Sequence, residues 1–81
     1  MAGFARTEAE IAERVSRFLK AELKRGGVTY AGLAERLAKH GLKGETADSI
    51  KAKLARGTFP ATFLLGVLAA LEMKTFRLED V

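Results

Sequence analysis

Basic side chains are concentrated in the middle of this 81-residue chain, where they could bind a polyanion. Between residues 36 and 57, six of them face only two carboxylates, Glu45 and Asp48, which gives this window a net charge of +4. The rest of the chain has eight basic and eight acidic residues, so the window carries the whole excess charge of the protein. Such a patch is the usual footprint of a polyanionic partner, although a solvated helix face is the simpler alternative. The six residues are Arg36, Lys39, Lys43, Lys51, Lys53 and Arg56.

A short helix is predicted within this window, from residue 46 to residue 56. Thr46 can cap its first turn, and Gly57 is the natural left-handed residue at its end. At 100° per residue, the buried stripe consists of Ala47, Ile50 and Leu54. The outward arc then carries the small residues Ser49, Ala52 and Ala55, between long cations. Small residues let a helix approach another surface closely, and the cations around them can reach phosphates or base edges.

The major groove of DNA, about 12 Å wide, admits a helix with this profile. Arg56 could contact guanine or phosphate, and Ser49 a base edge or phosphate. Thr46 and the first-turn amides could hold a phosphate. Asp48 opposes binding unless it accepts a hydrogen bond from a cytosine amino group or pairs with a lysine. The predicted DNA-binding residues are Lys43, Thr46, Ser49, Lys51, Ala52, Lys53 and Arg56.

The predicted fold is a single all-α domain over residues 1–81, with its core at about 7–73. Three further helices and a tail that is not α-helical complete it. The first helix opens at Thr7 with a capping-box pattern, carries an apolar stripe from Ile11 to Leu23, and stops at Gly26-Gly27. The second opens near Thr29 and ends at His40 and Gly41. The fourth has Pro60 in its first turn. In the tail, 74–81, Phe76 and Leu78 alternate with polar residues, which favours an extended arm or a short strand.

The order of these elements resembles the lambda-repressor-like (Xre-type) helix-turn-helix domain. The matching pieces are "TYAGLAERL", "HGL", "SIKAKLARG" and "FPATFLLGVLAALEM", which together span roughly residues 11–73. The chain is also similar to a group of small uncharacterised bacterial proteins near that superfamily. It departs from the pattern between Ala34 and Ile50, where the interval is longer than usual by more than one helical turn.

This resemblance implies a compact four-helix, helix-turn-helix fold and a transcriptional regulator that binds double-stranded DNA. Members of the superfamily commonly bind as dimers, because one short helix reads few base pairs. We therefore expect that helix 60–72 and tail 74–81 could form a homodimer surface, with Leu65 on the less buried side of that helix. The alternative is that these residues simply complete a small core.

Catalysis, cofactors and membrane insertion are not expected. The chain has no cysteine and a single histidine, His40, placed at a helix end, and no spacing typical of metal ligands. We predict no enzyme activity, no cofactor and no small-molecule substrate. The longest apolar stretch, from Phe59 to Leu71, is shorter than the ~20 residues that span a bilayer, and no secretory signal is recognisable, so a cytoplasmic location is expected.

A second function from a different class stays open on the sequence alone. The same fold could serve as a protein-interaction module, such as an antitoxin-like or adaptor subunit, whose basic face docks an acidic partner without binding DNA. Binding of structured RNA is disfavoured because the basic face has no aromatic side chains for stacking. The response to salt separates the two main alternatives, since phosphate contacts weaken steeply as salt rises.

Overall fold

The computed structural model describes residues 3–81, and all the regular structure within that range is helical. The helices are α1 (Glu8–Gly26), α2 (Tyr30–Lys39), α3 (Ala47–Arg56), α4 (Ala61–Ala70) and a short 3₁₀ helix at Leu78–Asp80. The predicted all-α class with four α-helices is therefore confirmed. The folded chain is a compact globule with extents of 37 × 24 × 20 Å.

Threonine caps begin three of the four helices at the predicted positions. Each of Thr7, Thr29 and Thr46 has an extended backbone, and its side chain accepts a hydrogen bond from the amide three residues on. The reciprocal bond predicted for α1 is shifted by one residue, because Glu10 accepts from the amide of Arg6, at 2.8 Å, instead of that of Thr7. These bonds satisfy amides that have no partner within a helix, so each helix start is fixed locally.

Glycines end α1 and α3, again as the sequence predicts. Gly27 and Gly57 have φ values of 68° and 72°, in the left-handed region where a side chain is disfavoured. Pro60 differs slightly from its prediction, because it is the N-cap of α4 and not a residue of its first turn. Its carbonyl oxygen accepts hydrogen bonds from the amides of Phe63 and Leu64, so proline still starts the helix.

The core lies where the four α-helices meet, with α3 packed against both α1 and α2 and with α4 packed against α2. Its largest fully enclosed side chains are Leu19, Leu33, Leu37, Ile50, Leu54, Phe63 and Val67. One residue of the predicted stripe on α1 does not belong to this core, since Ile11 is 42% exposed. Buried Ser16 links α1 to α3, because its hydroxyl donates a hydrogen bond to the Leu54 carbonyl oxygen at 2.5 Å.

Of the two forms predicted for the tail, the short strand is wrong, because the residues after α4 form no strand and end in the 3₁₀ helix. The tail folds back along α1. The Phe76 ring packs against Phe18 with 6.0 Å between ring centroids, and the Val81 carbonyl oxygen accepts a hydrogen bond from Arg14 Nε at 3.0 Å. A strand needs a neighbouring strand for its backbone hydrogen bonds, and the described residues offer none. Side-chain packing on a helix replaces that pairing.

Candidate nucleic-acid interface

Helix α3 is fixed from its inner side and at its first turn. Ile50 and Leu54 are completely buried. At the first turn, the Thr46 amide donates to Ser49 Oγ at 2.8 Å, and the Ser49 amide donates to Thr46 Oγ1 at 3.1 Å. Thr46 and Ser49 were both predicted to contact DNA, but their side chains already serve this capping box. Their principal contribution in the structure is to start α3.

Lys53, another predicted contact residue, is turned toward the protein and not toward solvent. Its ammonium group forms an ion pair with Glu45 and lies 4.9 Å from the centroid of the Phe63 ring. Ser49 Oγ donates to the other carboxylate oxygen of Glu45 at 2.8 Å. The side chains of Glu45 and Lys53 are only 12% and 26% exposed. This Glu45–Lys53 clamp joins the α2–α3 connection to α3 and α4.

Opposing effects act on the pKa of the Glu45 carboxyl. Burial alone raises it, because the charged form loses solvation. Hydrogen bonds from Lys53 and Ser49, together with the positive charge of Lys53, outweigh burial and hold the pKa below its ordinary value of 4.5. The carboxylate is therefore ionised at neutral pH, and the clamp is complete.

The connection between α2 and α3 is held at two points, although it is long. After α2, Gly41 takes a left-handed conformation with φ 94°, and the Leu42 amide donates to the Leu37 carbonyl oxygen at 2.9 Å. Leu42 then packs half-buried against the core, while Glu45 is held by the clamp. Between these two points Lys43 is exposed. Lys43 therefore forms a basic tip on a connection that is held on both sides.

The outer face of α3 is built of small residues and unpaired cations. Ala52 and Ala55 are exposed, and the exposed side chains of Lys51 and Arg56 lie on either side of them. Within residues 3–81, neither cation has a carboxylate at ion-pair distance. Asp48 shares this face and is also exposed. The face can therefore approach a polyanion closely and offer it two charges.

The six basic residues of the central window consequently divide into two kinds. Arg36 and Lys53 have internal partners, since Arg36 donates to the Ala70 carbonyl oxygen at 3.2 Å near the end of α4. The remaining four, Lys39, Lys43, Lys51 and Arg56, are exposed. The inward role of Lys53 is not predicted by the sequence. Glu45 precedes the N-cap Thr46 and lies outside α3, so helical spacing does not mark it as the partner of Lys53.

A second surface feature lies away from α3, between α1 and the tail. It is an open groove of about 780 Å³, with Phe18, Met73 and Phe76 among its apolar lining and Glu13 and Arg17 among its charged lining. No grouping of three or more His, Cys, Asp or Glu side chains that could hold a metal ion occurs in the described part of the chain. No helix in that part has the length and apolar character to cross a membrane.

Comparison with known proteins assigns the chain to a family. The family model for a domain of unknown function, DUF6471, matches residues 11–76, which include nearly all of α1 and the whole of α2, α3 and α4. The chain therefore belongs to the DUF6471 family. No curated protein and no solved structure matches it.

Proposed function

We propose that the protein is a DNA-binding regulator of the helix-turn-helix type, in which α2, its connection and α3 form the DNA-binding unit and α3 enters the major groove. The observation that carries this proposal is the outer face of α3. It combines exposed small residues with two unpaired cations, Lys51 and Arg56, on a helix whose inner side is fully buried. Because this helix is already folded and held in place, it can enter the major groove without the entropic cost of ordering further backbone.

The residues of the interface take different roles in this proposal. Arg56 and Lys51 contact phosphates or base edges, and Lys43 contacts the adjacent backbone from the tip of the connection. Ala52 allows close approach and offers its methyl group to thymine. The clamp and the capping box set the position of α3, so Lys53, Thr46 and Ser49 support binding mainly from within the protein.

Two copies of the domain are expected on one DNA site, because a ten-residue helix reads few base pairs. On α4, Leu65 is 61% exposed and has exposed Ala61 and Ala69 one turn to either side. This face, with the tail, is the surface that the sequence predicts for a homodimer. It lies on the opposite side of α4 from buried Phe63 and Val67.

Fluorescence anisotropy of a random DNA duplex, titrated with the protein at increasing salt, tests the proposal. We expect binding at low salt that weakens as salt rises, with a slope of about −0.9 for each phosphate neutralised and hence roughly −3 for Lys43, Lys51 and Arg56 in one copy. Absence of binding at low salt would contradict the proposal.

The alternative is a protein-interaction module that does not bind DNA and whose basic face docks an acidic partner. The exposed cations Lys51 and Arg56 on α3 suit an acidic protein surface as well as a phosphate backbone. The same anisotropy experiment separates the two functions. A module of this kind leaves the duplex unbound at every salt concentration.

A further inference from the structure

The one carboxylate of α3, that of Asp48, lies near the middle of the outer face of this helix. On a helical wheel at 100° per residue, Ala52 lies directly opposite the midpoint of the buried pair, Ile50 and Leu54. Asp48 and Arg56 lie about 40° to either side of Ala52, one turn before it and one turn after it. Asp48 is exposed. If α3 enters the major groove by this face, the Asp48 carboxylate therefore enters with it.

In the part of the chain that the structure describes, this carboxylate has no ion-pair partner. No lysine or arginine side chain lies at ion-pair distance from Asp48 there. Thr46 and Ser49 cap the first turn of α3, so the Asp48 side chain does not serve as the cap. The helix dipole favours a carboxylate in the first turn, but it does so on any side of the helix. The dipole therefore explains the charge of this residue and not its place on the outer face.

A carboxylate that enters the major groove has to accept a hydrogen bond there, because it loses water and faces a polyanion. Phosphate oxygens repel it. In this groove guanine presents the acceptors N7 and O6, and thymine presents the acceptor O4, so neither base can donate. The donors are the amino groups of cytosine and adenine. Adenine also places its acceptor N7 beside the amino group, so cytosine N4 is the donor that suits a carboxylate.

We propose that Asp48 determines the specificity of the interface by accepting a hydrogen bond from a cytosine amino group. This inference rests on the proposed function, because it requires that α3 enters the major groove by its outer face. It adds the base that the groove must hold beside the first turn of α3. The discrimination is largely repulsive, since another base at this place leaves the carboxylate unpaired. A DNA site for this chain consequently contains a C·G base pair at that place.

Asp48 has a second effect, on DNA of unrelated sequence. There its charge opposes that of Lys51 and Arg56 and weakens the binding that phosphate contacts provide. Removal of the carboxylate should therefore strengthen binding to a random duplex and abolish the preference for cytosine. A variant that had lost its fold would not show both changes together.

Selection of bound sequences from a randomised duplex pool tests the inference, with the wild type, Asp48→Ala and Asp48→Asn. We expect the wild type to select a C·G pair that Asp48→Ala no longer requires. Replacement of this cytosine in a fixed duplex should weaken wild-type binding about tenfold. Asp48→Asn should select adenine at the same position, because an asparagine amide matches adenine N6 and N7. Asp80→Ala removes an exposed carboxylate from the tail, and as the matched control it should select the wild-type site.

Anisotropy with the random duplex separates failure of this inference from failure of the proposed function. At low salt Asp48→Ala should bind that duplex several-fold more tightly than the wild type, and Asp80→Ala nearly as the wild type does. If the wild type binds no duplex, the proposed function fails and the inference fails with it. If the wild type binds the random duplex but selects no C·G pair, or if Asp48→Ala selects the same pair, the inference alone is overturned.

Discussion

Gly57, the residue that ends α3, lies directly against the backbone of Ala12 in α1. A Cβ atom built on Gly57 would stand 2.6 Å from the Ala12 carbonyl carbon and closer still to its oxygen. Two backbones at this distance leave no room for a side chain, and neither can move without shifting its helix. The contact therefore sets the position of α3, and hence of its outer face, relative to α1.

Gly57→Ala should destabilise the protein by roughly 2–4 kcal/mol, because it combines a left-handed backbone with a clash against Ala12. Gly27→Ala is the control, since Gly27 has a similar φ of 68° but open space around its Cβ position. It should cost only about 1 kcal/mol. Urea denaturation monitored by circular dichroism gives both values. Equal losses in the two variants would show that the contact with Ala12 adds nothing.

Glu45→Gln should lower the free energy of unfolding at neutral pH by about 1–2 kcal/mol, because it removes the charge that Lys53 pairs with. The folded pKa of Glu45 lies below its ordinary value of 4.5, so the clamp contributes fully above that pH and is lost as the pH falls through the lower folded value. The difference between wild type and variant should therefore shrink below pH 4.5. Denaturation curves across this range measure it.

Lys53→Met provides the control for this pH dependence, since it keeps a long apolar stem over Phe63 and removes the ammonium group. In that background Glu45→Gln should cost clearly less at neutral pH, because the two residues act as a pair. A full, undiminished loss in the Lys53→Met background would assign the stability contributed by Glu45 to something other than the clamp.

Glu72→Gly should stabilise the protein by roughly 0.5–1 kcal/mol. Glu72 follows α4 with a φ of 60°, the only positive value at a non-glycine residue in the described chain. Its amide donates to the Ala69 carbonyl oxygen and the next amide, of Met73, donates to Leu68, an arrangement that favours glycine at this position. Glu72→Ala keeps the strained backbone and should show no gain. The thermal unfolding midpoints of both variants, compared with that of the wild type, measure this difference.

Arg56→Ala should weaken binding to a random duplex several-fold at low salt and reduce the magnitude of the salt slope by about 1, without loss of stability. Arg56 is exposed and makes no ion pair within the described residues, so the fold does not depend on it. Arg77→Ala, which removes a 72% exposed arginine from the tail, is the control and should bind nearly as the wild type does. Anisotropy measures both; unchanged binding by Arg56→Ala would remove this residue from the interface.

The helices could be predicted from the sequence because their ends are determined locally. A threonine whose side chain accepts from the amide three residues later stabilises the start of a helix, and a glycine after the last turn stabilises its end. Neither interaction depends on the rest of the chain. Thr46 and Gly57 therefore delimit α3 where the sequence predicts. Ile50 and Leu54 are buried as predicted because their spacing leaves a single apolar stripe on α3.

The tail and the orientation of Lys53 could not be predicted in this way, because both depend on contacts between distant elements. The alternation of Phe76 and Leu78 is compatible with a strand, but the available neighbour is a helix, α1, so the tail packs by its side chains. Lys53 is a cation on a basic helix, and only the positions of Glu45 and Phe63 turn it inward. A count of the charges between residues 36 and 57 therefore groups Lys53 with the exposed cations.

A titration of the ¹⁵N-labelled protein with a DNA duplex, followed by amide chemical shifts at low salt, tests directly whether α3 enters the major groove. We expect the largest shifts at Lys43 and on the outer face of α3, at Lys51, Ala52, Ala55 and Arg56, while the amides around Phe18 and Phe76 change little. Shifts confined to the surroundings of Phe18 and Phe76, or no shifts at all, would contradict the placement of α3 in the major groove.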